Sequence, residues 1–240
     1  SNCTSSSGHG FIGIGRDVLI NILRSQAQAR GVNICFEHEE TSLAVGQEAD
    51  LVVAADGASS TIRSLLAAKI TTTIHKGSNR FVWLKTDKVF SAFNFCFKEN
   101  KHGLWCIHAY QYAPDRSTII VECSEATWLS SEMDSATEAE TKVYLEQLFA
   151  QELSGHKLLT NLGTWQQFST ICTTPWSSGQ FVLLGDAAHT THFSIGSGTS
   201  MAMDDALALC SALSSASQVP KALKQYEKTR RPQVESLQRS

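Results

Sequence analysis

Several features that define other protein classes are absent from this sequence. Positive charge is not in excess: 20 Lys and Arg residues stand against 23 Asp and Glu, a formal net charge of −3, which argues against nucleic acid as the main partner. No apolar run approaches the ~20 residues of a membrane-spanning helix, so no membrane partner is predicted. The seven cysteines are scattered and include no Cys-x-x-Cys pair, which predicts a reduced, cytoplasmic protein with Cys35 and Cys210 as small core residues.

The residues between Phe181 and Leu209 carry the strongest functional signal. Four apolar residues, Phe181 to Leu184, predict a strand covered on both faces, and Gly185 and Asp186 end it. The loop Gly196-Ser197-Gly198 then leads into a helix, whose first N–H groups and positive dipole end suit an anionic or electron-rich ligand. An acidic side chain at the strand end suits a sugar-like hydroxyl chain. The predicted buried side of the helix consists of Met201, Leu207 and Leu209.

Two upstream segments have a related pattern. Leu51 to Ala55 predict an apolar strand that ends in Asp56-Gly57, after which Ser59 or Ser60 caps a helix that carries Arg63. Near the start of the chain, a helix is predicted from about Arg16 to Gly31, and a strand follows it. The apolar face of that helix would be Val18, Leu19, Ile22 and Leu23, and the strand would be Val32, Ile34 and Phe36.

The middle of the chain is rich in aromatic and β-branched residues and predicts antiparallel strands joined by turns. Thr137 to Leu153 predict a covering helix with Thr137 and Glu140 as its capping box, and its apolar face would be Val143, Leu145, Leu148 and Phe149. The predicted strands are Phe81 to Leu84, Ala92 to Phe97, Leu104 to Tyr112 and Ser117 to Cys123.

Two charged segments near the end of the chain are predicted to be structural. Asp204 and Asp205 lie early in the helix after the glycine loop, where negative charge is favourable to the helix dipole. The Lys and Arg residues between Lys221 and Arg230 predict a solvated helix face.

These motifs resemble the FAD-dependent aromatic hydroxylases, the para-hydroxybenzoate hydroxylase-like group A flavoprotein monooxygenases. The string from Gly185 to His189 with the loop Gly196 to Thr199 resembles their second flavin motif, and Asp56 to Arg63 resembles their DG motif. The sequences of three middle segments and of His192 to Thr199 are similar to those of the subgroup that contains salicylyl-CoA 5-hydroxylase and 2-aminobenzoyl-CoA monooxygenase. Those middle segments are Gly77 to Leu84, His108 to Tyr112 and Ser117 to Trp128.

The resemblance implies roles for individual residues. Asp186 would bind the ribityl chain of FAD, the loop would stabilise negative charge on the reduced flavin, and Arg16 would reach the cofactor. The implied cofactor-binding set is Arg16, Asp56, Gly57, Arg63, Gly185, Asp186, Gly196, Ser197, Gly198 and Thr199.

Other side chains near these motifs leave alternatives open. His192, Ser194 and Gly196 are the candidates at the catalytic centre, where His192 bonds substrate or flavin or has only a packing role. His108, Tyr110 and Tyr112 share one side of a strand; they line the substrate cavity or pack against the covering helix. No metal site is predicted, because no third ligand is spaced to accompany His189 and His192.

The family begins with a strand and a GxGxxG turn that binds the FAD pyrophosphate, and this chain has no such fingerprint. Gly8, Gly10, Gly13 and Gly15 follow a Ser-rich leader rather than an apolar strand. The predicted fold is therefore a mixed α/β fold: a partial Rossmann-like FAD-binding domain (residues 1–70 and 175–240) with an inserted, mainly antiparallel β-sheet substrate domain (residues 71–174). Strand edges left without partners would favour self-association or a complementing N-terminal segment.

The implied activity is hydroxylation of a small aromatic substrate, including a CoA-linked one, with NAD(P)H and O2 through a flavin C4a-hydroperoxide. The protein would bind and orient the cofactor and exclude water from it. Two alternatives stay open: a non-catalytic remnant of the fold that binds a ligand or a protein, and an FAD-dependent oxidoreductase that inserts no oxygen.

Overall fold

Helices and strands alternate in the computed structural model, which describes residues 12–159 and 163–239. The predicted mixed α/β class is confirmed. The strands are β1 (Val52–Ala54), β2 (Thr71–Thr86), β3 (Asn94–Asn100), β4 (Gly103–Ala113), β5 (Arg116–Ser124), β6 (Gln166–Thr174), β7 (Ser177–Ser178) and β8 (Phe181–Leu183). The α-helices are α1 (Arg16–Ala29), α2 (Thr61–Leu65), α3 (Glu125–Ser130), α4 (Glu138–Leu148), α5 (Ala150–Leu153), α6 (Gly198–Ser215) and α7 (Val219–Gln238).

The described chain divides into two compact units. The first contains the residues up to Cys35 together with Ser78–Gln167, and the second contains Phe36–Gly77 and Phe168–Ser240. The segment before Cys35 thus groups with the middle sheet, whereas the predicted boundaries placed it with the FAD-binding domain. A close backbone approach accounts for this grouping, because a Cβ atom at Gly13 would lie 2.0 Å from the carbonyl oxygen of Gln111.

The first unit is built on antiparallel strands that follow the predicted middle sheet. The order β3-β4-β5-β2-β6 makes one five-stranded sheet. Trp105, Ile107 and Ala109 of β4 are fully buried against a core that includes Leu145, Phe149 and Leu153. Burial of the large side chains among them, such as Ile107, Leu145 and Phe149, at roughly 1.5–3 kcal/mol each, fixes which face of the sheet the helices cover.

Helix α4 begins as the sequence predicts. Thr137 and Glu140 form the capping box, and the helix axis breaks at Phe149 before α5. The prediction for Val143 is wrong: its side chain is 53% exposed, while Leu145 is fully buried. Residues 143 and 145 are about 200° apart around a helix, so a single helix face cannot bury both.

The second unit is built around a three-stranded sheet of order β1-β8-β7, with β1 parallel to β8. Strand β8 is buried along its whole length, which confirms the strand predicted at Phe181. Helices α6 and α7 contribute to the same core through Met201, Leu209, Leu223 and Tyr226. Leu207, predicted on the buried side of α6, is 70% exposed, because it is two residues past the buried Asp205 and faces away from the core.

The region around α1 differs most from the sequence prediction. The helix forms and Gly31 ends it with a φ of 79°, but none of its residues is buried. The predicted strand Val32 to Phe36 is absent, because no described segment provides ladder hydrogen bonds to it. Cys35 and Cys210 are exposed rather than in the core, since neither faces one of the two hydrophobic clusters. Across the described residues, no helix has the length and apolarity to cross a membrane.

The two sides of α4 provide a test of the core assignment. We expect Leu145→Ala to lower the free energy of unfolding by about 2–5 kcal/mol, because it removes buried methyl groups and leaves a cavity. Val143→Ala on the same helix should change it by no more than about 0.5 kcal/mol. Urea unfolding followed by circular dichroism measures both, and equal losses for the two variants would contradict the assigned core face.

Candidate cofactor site

Asp186 lies in a tight turn directly after the buried strand β8. The turn Gly185–Ala187 is a single 3-10 turn, and Gly185 adopts a φ of 60° with Ala202 of α6 only 3.0 Å from where a Cβ would be. Only glycine meets both the dihedral angle and the close approach at this position. The flanking residues Gly185 and Ala187 are buried while the Asp186 side chain is exposed, so the turn presents one carboxylate to the outside.

Buried side chains from three different elements bond the backbone around Asp186. The Tyr226 hydroxyl donates to the carbonyl oxygen of Leu183 at 3.2 Å, and Arg63 Nη1 donates to that of Ala187 at 2.8 Å. The Gly185 N–H donates to Asp205 Oδ2 at 3.2 Å. Because burial raises the pKa of the Tyr226 hydroxyl, this group remains a proton donor. The turn is therefore positioned by contacts from α2, α6 and α7.

Asp205 is the centre of a buried ionic cluster with His189 and Arg230. Its carboxylate is inaccessible to solvent and accepts hydrogen bonds from His189 Nε2 and Arg230 Nε, both at 2.8 Å. Burial by itself would raise the pKa of Asp205, but the hydrogen bonds and positive charges of His189 and Arg230 outweigh it and hold the pKa below its ordinary value. Asp205 is thus an ionised carboxylate in the core of the second unit.

This cluster overturns two sequence predictions. Asp205 does not serve the helix dipole, because α6 has no acidic residue in its first turn; its side chain is fully buried, whereas Asp204 is exposed. Arg230 was assigned to a solvated face but is 6% exposed, because it lies on the buried stripe of α7. That stripe is Ala222, Leu223, Tyr226, Arg230 and Val234. The spacing of three to four residues between these positions was the sequence signal for a buried helix face. Because Arg230 is charged, it was not counted as part of that face.

The DG motif joins the second flavin motif through Arg63. Ser60, one of the two predicted caps, accepts from the N–H of Arg63 at 3.0 Å, and Asp56 Oδ2 accepts from that of Ile62 at 3.1 Å. Gly57 makes the turn between them with a φ of 83°. Burial lowers the pKa of the Arg63 guanidinium and the nearby Asp56 opposes that shift. Arg63 is therefore buried rather than solvated, and its guanidinium connects α2 to the carbonyl of Ala187.

The segment between Asp186 and α6 contains His192, Ser194 and the glycine loop. His192 Nδ1 lies 2.7 Å from Ser194 Oγ, and its ring packs edge-on against Phe168 with centroids 5.0 Å apart. Gly196 has a φ of 67°, and a Cβ there would meet nothing within 4 Å, so the loop borders open space. The Gly196 N–H already donates to the carbonyl of Phe193 at 2.9 Å.

The N–H groups available for a ligand lie one step further along, in the first turn of α6. This helix has no side-chain cap. Within the described part of the chain, the amides of Gly198, Thr199 and Ser200 have no hydrogen-bond acceptor. Helix N-termini with such free donors favour negative charge or electron-rich atoms. Within the predicted loop Gly196 to Thr199, the free N–H donors are therefore those of Gly198 and Thr199.

A cavity of about 410 Å³ in the second unit lies elsewhere. It is bordered by β6 and the C-terminal half of α7, and His189 and Trp176 are in its wall. Asp186 and the glycine loop do not contribute to it, so this cavity is not the candidate cofactor site.

The remaining predicted site residues belong to the first unit. Arg16 is exposed at the start of α1. His108 is buried, 3.3 Å from Glu122 Oε2, and Tyr110 stacks on Phe93. The odd-numbered neighbours of His108 and Tyr110 on β4 fill the helix-covered core, so alternation along the strand places these two residues on the opposite face of the sheet. A β-bulge between Gln111 and Ala113 interrupts the alternation at Tyr112.

Among the described residues, no three His, Cys, Asp or Glu side chains are grouped as a metal site.

The parallel pair β1–β8, the two glycine turns at the ends of these strands and α6 with its uncapped N-terminus are features of a nucleotide-binding protein. Comparison with known families agrees: a model described as FAD binding domain matches residues 45–240. The chain therefore belongs to the FAD binding domain family, and the predicted resemblance to FAD-dependent aromatic hydroxylases is confirmed.

Curated relatives are similar over nearly the whole chain. Salicyloyl-CoA 5-hydroxylase of a Streptomyces species is 40% identical over 97% of this chain and 47% of its own length. A 3-hydroxy-4-methyl-anthranilyl-[aryl-carrier protein] 5-monooxygenase of Streptosporangium sibiricum is 42% identical over 93% of this chain and 59% of its own length. Protodeoxyviolaceinate monooxygenase of Chromobacterium violaceum is 35% identical over 96% of this chain and 62% of its own length. The chain thus spans about half to three fifths of these relatives.

Solved structures confirm the fold. The tetrameric form of 2-methyl-3-hydroxypyridine-5-carboxylic acid oxygenase superposes with a TM-score of 0.74 over 94% of this chain and 64% of that one, at 20% sequence identity. A probable FAD-dependent monooxygenase from Pseudomonas aeruginosa has a TM-score of 0.62 over 79% of this chain and 54% of that one, also at 20% identity.

The buried carboxylate predicts a pH dependence of stability. Asp205→Asn should lower the free energy of unfolding by about 3–5 kcal/mol near neutral pH, because it leaves Arg230 buried without its counter-charge. Since the pKa of Asp205 is depressed in the folded protein, its contribution is present above the unfolded-state pKa of about 3.9 and is lost as the pH falls through the folded-state value.

The measurement is thermal unfolding of both proteins between about pH 6 and about pH 3, with the gap in Tm expected to narrow toward acid. Asp50→Asn, at an exposed carboxylate elsewhere in the same unit, is the control and should leave Tm nearly unchanged. A gap that stays constant or widens toward low pH would show that folding does not lower the pKa of Asp205.

Proposed function

We propose that this chain belongs to an FAD-dependent monooxygenase that hydroxylates an aromatic substrate with NAD(P)H and O2. The observation that carries the proposal is the exposed Asp186 carboxylate on a turn fixed by buried contacts, followed by an uncapped helix. Family membership supports FAD as the ligand of this turn.

The residues present fit that cofactor. A carboxylate accepts hydrogen bonds from a chain of hydroxyls such as the ribityl group, and Asp186 is exposed to do so. The open space beside Gly196 admits the face of a flat ring without a Cβ in the way. The free amides of Gly198 and Thr199, at the positive end of the α6 dipole, are donors for an electron-rich ring edge.

When bound, FAD would supply the redox chemistry, taking electrons from NAD(P)H and activating O2 for transfer of one oxygen atom to the ring of the substrate. The protein's own groups would do the remaining work. Asp186 would orient the cofactor, and the α6 N-terminus would stabilise negative charge on it, as an oxyanion hole does. Asp56 and Arg63 would hold the turn in place, Arg16 would contact the cofactor, and His192 and Ser194 would border the reaction centre.

We propose an aromatic acid joined to CoA or to a carrier protein as the substrate class. The names of two relatives, a salicyloyl-CoA hydroxylase and an anthranilyl-carrier-protein monooxygenase, support a thioester-linked aryl group. His108, Tyr110 and Tyr112 remain the proposed substrate residues. A comparison of NAD(P)H oxidation and product formation with an aryl-CoA and with the free acid tests this class; equal rates would argue against recognition of the thioester.

We also propose a second copy of the chain as a partner. Helix α1 leaves Val18, Ile22 and Leu23 about half exposed, an apolar surface of the kind that mediates association. We expect sedimentation velocity to show concentration-dependent association, and the double substitution Val18→Lys, Ile22→Lys to shift the distribution to monomer. A wild-type protein that is monodisperse and monomeric at every concentration would contradict this expectation.

The cofactor role of Asp186 has a direct test. Asp186→Ala should raise the Kd for FAD by about 10- to 100-fold, since a hydrogen bond to a charged group is worth about 1.5–3 kcal/mol. Quenching of flavin fluorescence measures the Kd. Asp50→Ala removes an exposed carboxylate elsewhere in the same unit and is the charge-matched control.

Equal Kd values for FAD in Asp186→Ala and wild type would show that the turn at Asp186 is not part of the cofactor site. Failure of the wild type to bind FAD would instead favour the non-catalytic alternative for this chain.

A further inference from the structure

A carboxylate outside the predicted site has the geometry of a positioning group. Asp205 is fully buried and makes three hydrogen bonds, one of which goes to the main chain of Gly185. Gly185 directly precedes Asp186, so any displacement of its amide is passed on to the Asp186 carboxylate. Asp205 itself has no exposed surface and cannot touch a ligand in the folded protein.

The cluster also links the elements that must keep their places around the turn. Arg230 of α7 donates to Asp205 Oδ1 of α6 at 2.8 Å and lies 3.5 Å from the carbonyl of Met201. His189 follows the turn and donates to the other carboxylate oxygen at 2.8 Å. The Asp205 carboxylate thus connects Gly185, just before Asp186, and His189, shortly after it, to helix α6. The free amides lie in the first turn of that helix.

A hydrophobic core would hold these helices together without such a cluster. Replacing a buried ion pair by well-packed apolar residues is often neutral or stabilising, so stability alone is a weak reason for a buried Asp with His and Arg. What an apolar group cannot do is accept the Gly185 N–H and fix its direction.

We propose that Asp205, supported by His189 and Arg230, is a positioning residue that sets the place of Asp186 relative to the α6 N-terminus and thereby the affinity for FAD. The inference rests on the proposed function in that FAD is the ligand concerned. It predicts that Asp205 acts through Asp186, not through global stability.

The first measurement needs no cofactor. Amide hydrogen exchange of the whole chain, at a temperature where every variant is folded by circular dichroism, should show the Gly185 amide exchanging faster in Asp205→Asn than in wild type. Leu223→Ala is the matched control, since it weakens the same hydrophobic core from α7 and takes no part in the hydrogen bonds of Asp205. It should leave the Gly185 amide protected relative to its neighbours in β8.

The second measurement is the Kd for FAD in a double-mutant cycle of Asp205→Asn and Asp186→Ala. Loss of a partner that orients a ligating group typically costs about 10- to 100-fold in affinity, as known for metal ligands, and we expect about tenfold for Asp205→Asn. With Asp186 already removed, the same substitution should have little further effect, because coupled residues are non-additive. Leu223→Ala should bind FAD as wild type does.

Additive effects in the cycle, or equal weakening by Leu223→Ala, would overturn the proposal. Unchanged Gly185 exchange in Asp205→Asn would also overturn it. Should wild type bind no FAD, the proposed function fails for this chain while the exchange result still decides whether Asp205 positions the turn.

A second pair of variants covers the case in which Asp205→Asn does not fold. His189→Leu removes one donor to the carboxylate and should speed Gly185 exchange and weaken FAD binding. His189→Gln retains an N–H donor and should restore both in part. If both His189 variants behave as wild type, the cluster has no positioning role.

Discussion

The second unit depends on one buried charge, the carboxylate of Asp205 among Gly185, His189 and Arg230. An ionised group with no solvent contact is stable only when hydrogen bonds and opposite charge replace its water, and here three donors from three segments do so. The requirement works in both directions, because each donor is held where the carboxylate can accept from it. The end of β8, the segment after the turn and helix α7 are thereby fixed relative to α6.

This constraint explains how the exposed part of the candidate site can be rigid. Asp186 and the amides of Gly198 and Thr199 face open space, where side chains and loops are ordinarily mobile. The backbone on either side of Asp186 is hydrogen-bonded to Asp205, to Arg63 and to Tyr226, all of which are buried. A preorganised site of this kind binds its ligand without paying to order a loop, which suits the tight retention of a cofactor.

Local patterns in the sequence predicted the parts of the fold that local physics determines. The Asp-Gly and Gly-Asp turns, the Ser60 cap and the Thr137–Glu140 capping box were found because a few adjacent residues are enough to specify them. The strand predicted at Val32 to Phe36 does not form, because a strand exists only with a partner, which the pattern of one segment does not reveal. Leu207 and Val143 were misplaced because their hydrophobicity fits a helix face that tertiary packing leaves exposed.

The ionic cluster was missed for a different reason. By their charge, Asp205 was assigned to the helix dipole and Arg230 to a solvated face, and only their positions on the buried stripes of α6 and α7 show otherwise. A charged residue at a core position of an otherwise apolar stripe is therefore a signal in itself, and it predicts an opposite charge on the facing element. The partner lies 25 residues away, beyond the reach of any local motif.

The central claim is that these residues hold FAD, and the visible absorption spectrum of the purified chain tests it most directly. The chain would be incubated with FAD, passed through a desalting column and scanned. The account predicts flavin bands that stay with the protein in a fixed molar ratio. A protein that emerges colourless would contradict it and would show that the fixed turn and the helix terminus do not suffice to retain the cofactor.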